Sequence, residues 1–548
     1  MDRHSIAAVD AASGTEINAT IRLNARGTPI LGAYVTIPSG NDLILGRILS
    51  VAMNNPIHEN EAFTPVIMKN GCIPHFSAEV DIERAVIKIL AVRDVQTGER
   101  VALRRNPASG TSIMLADQIA ISEFATESEH FLILGHIPNS GGLYASIVNR
   151  HFGPAADKDG NDLGGYGEAR HTAIVGQNGS AKSVLLTALI AGKLSAHNMG
   201  LLMPDTSGDL CNSTKHNRGS YKWDYFEVLR AAGIEIEVMS INDVRLTSGR
   251  TLAYKLAPFL KNHLSSTVEK CSLLADRVVE EIFQGERVNA GKLTGDAIQQ
   301  AMIKHIPQCW DKKTSTDKLN AAQNLQRRSF DADLERIRTL FDGRWAASDL
   351  IDDILGKARK IIFDFGGLMS SDHRFVMREI MEAMTRKAQR MFHAGAPANA
   401  MAVLDEAQRF APQAIDDDDA MTTQVIDGIR TTRKCGVGWF IVTQSPVGVA
   451  KDVLRQCHTY FCGRNLGLGA DSEHLKDMLT EDGAKAYEEL GVQGGYYWVA
   501  CGLDSNIGSG RSWFAIHPFG GDATMAFLKA NRHIFKDYYN NIAELAAE

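Results

Sequence analysis

From about residue 16 to 125 the chain alternates short apolar runs with Gly, Pro and Asn, as in TPILGAYVTIPSGNDLILGRILSVAM and AVIKILAVRDVQTGERVALRR. Short β-rich runs at this spacing predict an antiparallel barrel or sandwich. A glycine-rich stretch, HFGPAADKDGNDLGGYGEARH (151–171), follows and predicts a domain boundary. Beyond it the grammar changes. The apolar strands HTAIVG, GLLMPD, KIIFDFGG, AMAVLDEA and VGWFIVTQ alternate with helices, and each ends in a polar or glycine-containing loop. That pattern predicts an α/β fold, a parallel sheet with covering helices.

Between about 250 and 350 the text is charged and helical in period (SSTVEKCSLLADRVVEEIF, FDADLERIRTLF), which predicts a helical insertion. GGYYWVACG and RSWFAIHP, near 485–517, read as late strands, and DATMAFLKANRHIFKDYYNNIAELAAE as one or two terminal helices. The expected units are a β-barrel with the start of a linker over 1–150, an α/β core with its insertion over 151–520, and a helical tail over 521–548. No internal repeat is visible.

Composition narrows the function classes. With 44% hydrophobic and 22% charged residues in 548, the chain reads as soluble and globular. A formal net charge of −7 removes any bulk attraction to nucleic acid, so DNA contact would have to come from local basic loops. The eight cysteines include no CxxC pair, which argues against a zinc site or disulfide framework and for a reducing compartment. The start, MDRHSIAAVDAASGTEI, lacks the build of a signal peptide. No run of about 18 apolar residues suggests a membrane span. A cytoplasmic location is expected.

The candidate chemistry begins at AIVGQNGSAKSVLLTALIAGKL (173–194), a strand, a glycine-bearing turn and an apolar helix. In a phosphate loop, glycines let backbone N–H groups point at the phosphates, lysine adds charge, and a Ser or Thr hydroxyl reaches magnesium. Gly176, Gly179, Lys182 and Ser183 hold those positions, with Asn178, Ser180, Ala181 and Val184 completing the candidate ATP-binding stretch. Ala181 stands where the pattern wants glycine, and its methyl group is tolerable if its φ is negative. The plain alternative is a strand-to-helix connection without a ligand. A second motif, AMAVLDEAQRFAP, argues against it by ending an apolar strand in Asp405 and Glu406. The first acid can order Mg2+ and the second can polarise the water that attacks a γ-phosphate. Together the two motifs predict binding of ATP with Mg2+.

The AQRF that follows the acids, and the later IRTTRKCGVGWFIVTQSP, narrow the choice. With them the chain resembles the HerA/FtsK group of P-loop motor ATPases, specifically the HerA helicases, over most of its length. LGAYVTIPSGNDLILGRILSV resembles that family's HAS barrel. LLMPDTSGDL resembles a family strand and turn, with Asp209 where glutamate is commoner.

The resemblance implies RecA-like cores in a hexameric ring, ATP between subunits, and double-stranded DNA in the central pore. It also implies a neighbour's arginine at each ATP, for which Arg430 and Arg433 are candidates, Arg433 and Lys434 matching the family's RK pair. Arg170 falls where the family carries a nucleotide-contacting arginine. Gln444, at a strand end, can hydrogen-bond the γ-phosphate or the attacking water. Implied partners are a NurA-type nuclease in DNA end processing, or a nuclease or sirtuin-like NAD-consuming effector in antiphage defence.

The DNA-facing candidates are weaker. CNSTKHNRGSYKW brings Lys215, Arg218 and Lys222 together with Tyr221 and Trp223, suited to tracking phosphates but equally to a solvated loop. Asp416 to Asp419 would repel DNA and suit an exposed loop or a basic partner. Two rival classes remain open: a ring scaffold that activates an effector under ATP control, and a conjugation-type DNA pump, which usually brings a membrane segment.

Overall fold

The computed structural model describes residues 5–57, 64–70, 80–124, 131–157, 159–208, 210–211, 226, 229–230, 233–366, 370–413, 420–466, 469–493, 498–504 and 512–518. The N-terminal strands are β1 (Ser5–Ser13), β2 (Glu16–Ile21), β3 (Tyr34–Ser39), β4 (Asp42–Asn54), β5 (Ile82–Asp94) and β6 (Ser112–Leu115). They close in the order β1-β2-β5-β4-β3-β6, with β1 returning to β6. Ile17, Ala19 and Ile21 alternate inward along β2 and meet Ile44, Ile48 and Ile87 in the barrel core. Gly46 sits at a bulge of β4, where a Cβ would lie 2.6 Å from Ile87 Cγ2, so the close strand approach needs glycine there.

Among the described residues the remaining strands are β7 (Phe131–His136), β8 (Tyr144–Val148), β9 (Thr172–Val175), β10 (Gly200–Asp205), β11 (Glu237–Ser240), β12 (Val244–Arg245), β13 (Trp345–Ala346), β14 (Lys360–Asp364), β15 (Ala400–Leu404), β16 (Val437–Thr443), β17 (Thr459–Gly463), β18 (Trp498–Gly502) and β19 (Ser512–Pro518). Apart from the two-stranded β12-β13 pair, they form an 11-stranded sheet of order β11-β14-β10-β15-β16-β9-β17-β18-β19-β7-β8. The run from β11 to β17 is parallel. From β17 onward the pairing turns antiparallel.

One expected boundary moves. β7 and β8 fall inside 1–150, yet His136 and Gly135 pair with His517 and Pro518, which attaches them to the core sheet. The barrel strands end at Leu115.

The insertion is helical as expected, with helices Gly249–Leu264, Val268–Phe283, Gly295–Cys309, Lys312–Gln323 and Arg327–Arg338. Four of these starts are set by side-chain caps. Ser248, Thr267, Thr294 and Asp311 each accept from a backbone N–H three residues on, satisfying a donor that a helix start leaves unpaired. The barrel docks on the core through buried Arg47, whose guanidinium lies 3.6 Å over the Trp513 ring and donates to the Trp513 carbonyl. The 521–548 tail lies outside the described residues. Among them, no helix is long and apolar enough to cross a membrane.

Candidate nucleotide site

The carboxyl ends of the parallel strands form the edge at which α/β sheets bind ligands, and the sequence motifs gather there. After β9, Gly176 packs so tightly that a Cβ would fall 2.5 Å from Ser180 Oγ and 3.1 Å from the Gly463 Cα. Gly179 follows with φ +82°. Ala181 corrects the expectation of a negative φ. It has φ 58° and ψ 30°, the left-handed region, immediately before the helix Lys182–Ala196. A non-glycine residue there costs roughly 1–2 kcal/mol, which the surrounding contacts offset. Trp498 Nε1 on β18 donates to the Ser180 carbonyl at 2.7 Å, and Lys182 Nζ donates to the Gln177 carbonyl at 3.3 Å. The turn is held in shape from outside. Asn178 and Ser183 are exposed and Val184 is half-buried, so the mouth of the loop faces solvent.

Opposite the loop, β15 delivers Asp405 and Glu406. Glu406 is also left-handed, at φ 52° and ψ 52°, and its N–H donates to Asp405 Oδ1 at 3.0 Å. Withdrawal from water raises the Asp405 carboxyl, and the neighbouring Glu406 and Asp205 carboxylates raise it further, to about 7. Lys182 is pushed down by burial, against the pull of Glu406 and Asp405. Crowded carboxylates beside one lysine and an exposed serine hydroxyl fit a divalent cation, whose charge would relieve the crowding. Among the described residues no group of three or more His, Cys, Asp or Glu side chains could hold a metal ion. A cation would therefore depend on phosphate oxygens besides Ser183 and Asp405, as Mg2+ in such sites does.

Asp205 was not read as part of the site. Buried at the end of β10, it caps its own turn by accepting from Gly208 N at 2.9 Å and Cys211 N at 2.8 Å. The DTSGD string that follows the apolar strand was its only sequence signal. Gln444 joins the acids more closely than expected: its Nε2 donates to Glu406 Oε1 at 2.9 Å.

The arginines lie elsewhere. Arg170 and Arg433 stand at the opposite edge of the sheet, where β9 and β16 begin, about 13 Å of strand from the loop. Arg170 Nη1 meets Asp504 Oδ1 at 2.9 Å, with its guanidinium 4.0 Å from the Tyr166 ring centre. Arg433 approaches His458 Nε2 at 3.3 Å and Glu168 Oε2 at 3.5 Å. Arg430 pairs with Asp452 at 2.9 Å on an exposed face. Within one chain none of the three is brought to the phosphate loop, so any service to a nucleotide would be to a neighbour's.

Asp209, Lys215, Arg218, Tyr221, Lys222, Trp223 and Asp416 to Asp419 lie outside the described residues.

Residues 169–384 match the family described as "Helicase HerA, central domain". No curated protein matches the sequence. Among solved structures, the plasmid coupling protein TrwB with the GTP analogue GDPNP is 14% identical at TM-score 0.36, over 68% of this chain and 91% of that one. The genome packaging NTPase B204 of Sulfolobus turreted icosahedral virus 2 with ATP-gammaS is 10% identical at TM-score 0.29, over 64% of this chain and 97% of that one. The stretch of this chain that carries the phosphate loop is therefore similar to the HerA central domain, and the acid pair lies just beyond the matched residues.

Proposed function

We propose that the chain is an ATP-driven motor of the HerA type that moves along, or separates, double-stranded DNA as a homo-oligomeric ring. One observation carries this reading. The phosphate loop, Lys182 and the acid pair converge at one sheet edge, and the carboxylate crowding at Asp405 is of the kind a cation relieves. In the proposed cycle the loop amides and Lys182 bind the triphosphate, and Ser183 and Asp405 would hold Mg2+. Bound there, the metal would neutralise phosphate charge. Glu406 takes the proton of the attacking water. A neighbour's Arg433 or Arg430 offsets the charge that spreads over the γ-phosphoryl oxygens.

Isothermal titration and steady-state hydrolysis on the purified chain test this. ATP with Mg2+ should bind and turn over, Lys182→Ala should abolish binding, and duplex DNA should stimulate turnover several-fold. No uptake of ATP, with or without Mg2+, ends the proposal. Turnover that ignores DNA would instead favour a ring scaffold regulated by ATP, a reading the net charge of −7 suits. The proposed partner is a nuclease or a sirtuin-like NAD-consuming effector, to be sought by co-purification and identified by its activity.

A further inference from the structure

Glu406 is held by more than its own backbone. Gln408, in the short turn Ala407–Arg409, donates from Nε2 to Glu406 Oε2, while Gln444 Nε2 donates to Oε1 at 2.9 Å. The Gln408 carboxamide is itself anchored, because its Oε1 lies 2.9 Å from the buried Thr443 hydroxyl, whose one proton it shares with the Ser445 carbonyl at 3.0 Å. Thr443 and Gln444 are consecutive, so the end of β16 supplies both the anchor of one amide and the whole of the other. Each carboxylate oxygen has about two acceptor directions, so a clamp on one direction per oxygen still leaves room for a water.

We infer that Gln408 is a positioning residue for ATP hydrolysis: anchored by Thr443, it keeps one oxygen of Glu406 aimed while Gln444 exchanges the other for the γ-phosphate. This rests on the ATPase reading above and assigns that site its internal trigger. The two amides differ in what holds them. Gln408 is tied at both ends, by Thr443 and by Glu406. Gln444 reaches Glu406 from a half-buried position beside the loop edge. A γ-phosphate oxygen is also an anionic acceptor, so transfer of the Gln444 amide from Glu406 to it replaces one charge-assisted hydrogen bond by another. The exchange therefore needs little net driving force. Loss of the Gln444 hydrogen bond leaves Oε1 a stronger acceptor for the water proton when a triphosphate is present, whereas a diphosphate leaves that bond in place.

A glutamate side chain released at one oxygen would lose its aim unless the other stayed fixed, since each unfrozen torsion spreads the carboxylate over several rotamers. That is the role left to Gln408. Its side chain reaches Glu406 and Thr443, so on this inference its removal should slow the chemical step and spare binding.

The test is steady-state hydrolysis and nucleotide titration on the full chain. Gln408→Leu, similar in size but with neither donor nor acceptor, should lower kcat about 10- to 100-fold. Its affinity for ATP should stay within about twofold, and ring assembly should be unchanged. Thr443→Val, which removes the anchoring hydroxyl, should show a smaller loss of kcat alone, and Thr443→Ser should recover the rate that Thr443→Val loses. The Thr443 pair also serves if Gln408→Leu does not fold. A Gln408→Leu rate within twofold of wild type, a fall in ATP affinity as large as the fall in kcat, or equal rates for the two Thr443 variants overturns the inference. Wild-type chain that turns over no ATP strikes the ATPase reading itself, whereas an active wild type with an indifferent Gln408→Leu strikes this inference alone.

Discussion

Asp405 and Asp504 are two carboxylates drawn into opposite edges of one sheet, and they are treated differently. Asp504 receives Arg170 at 2.9 Å and the Tyr166 hydroxyl at 2.7 Å on Oδ1, and the Thr459 hydroxyl at 2.9 Å on Oδ2. Asp405 receives a backbone N–H from Glu406 and faces two further carboxylates, which help raise it to about 7. The same contrast runs through the neighbouring groups. At the edge where the parallel strands begin, buried His171 accepts from Trp439 N at Nδ1 and contacts the Ile429 carbonyl through Nε2, which fits one neutral tautomer. At the edge where they end, Ala181 and Glu406 hold left-handed backbone that their side chains disfavour. One edge is settled and the other carries electrostatic and conformational cost. Of these two edges, the one that carries electrostatic and conformational cost marks where a ligand completes the structure.

The largest effect should come from joining the two edges across subunits. If the settled edge serves a neighbour's nucleotide, Arg433→Ala should lower hydrolysis about 10³-fold, the scale at which a transition-state arginine acts. Mixing Arg433→Ala with Glu406→Gln chains should then restore part of the rate. In a mixed ring, an intact Glu406 can meet an intact Arg433 from the adjoining subunit. Mixtures no faster than either variant alone would confine Arg433 to its own chain, with His458 and Glu168.

Next in size is the removal of crowding at the costly edge. A carboxyl whose folded pKa is raised favours the protonated fold, so its ionisation lowers stability as pH climbs from about 4 through about 7. Asp405→Asn escapes that penalty. Without nucleotide it should be more stable than wild type by about 1–3 kcal/mol at pH 8 in denaturant unfolding, with the gap closing toward pH 4. The same variant should lose most stabilisation by ATP with Mg2+. A less stable Asp405→Asn would mean that the site is not electrostatically crowded.

How far each edge can be read from sequence follows from what builds it. β9, β10, β14, β15 and β16 were legible because each is a continuous apolar run. β11 was not, since among its residues EVMS only Met239 is buried, which leaves no pattern to read. β7 joins the core by pairing with residues near 517, and nothing local announces so distant a partner. At the site, residue types with fixed spacing were visible: the loop, its lysine and the acid pair. The conformations were not. Ala181 is left-handed in a loop pinned by Trp498, 318 residues from Ser180, and the Gln408–Glu406–Gln444 clamp depends on β15 lying beside β16.

The settled edge gives a smaller and oppositely signed pH effect. Burial, with a lesser push from His458 and Arg433, lowers His171 to about 3. The fold therefore prefers neutral imidazole. The stability this contributes is present above the unfolded value near 6.5 and is lost as pH falls toward about 3. At pH 5.5 the loss should be about 1.4 kcal/mol relative to pH 7.5, on top of what other groups lose. His171→Gln, which can still accept and donate, should show that much less acid sensitivity in parallel unfolding curves. Identical acid sensitivity in the two proteins would take His171 out of the account.

The smallest expected effect concerns a single methyl group. Ala181 pays roughly 1–2 kcal/mol for its left-handed backbone, and glycine would not. Glycine also loses more freedom on folding, which returns about 0.4–1 kcal/mol. Ala181→Gly should therefore stabilise the nucleotide-free chain by at most about 1.5 kcal/mol. Its kinetic consequence separates two uses of the strain. If the alanine simply fits a shape imposed by Trp498 and Gly463, turnover should be unchanged. If the strained turn favours release of product, Ala181→Gly should bind ADP more tightly and turn over more slowly at saturating ATP. The comparison of the two edges predicts the second outcome, since strain in the turn that meets the phosphates should act on the ligand. Unchanged ADP affinity in Ala181→Gly would reduce Ala181 to a tolerated departure from glycine, with the carboxylate crowding left as the only cost that the nucleotide relieves.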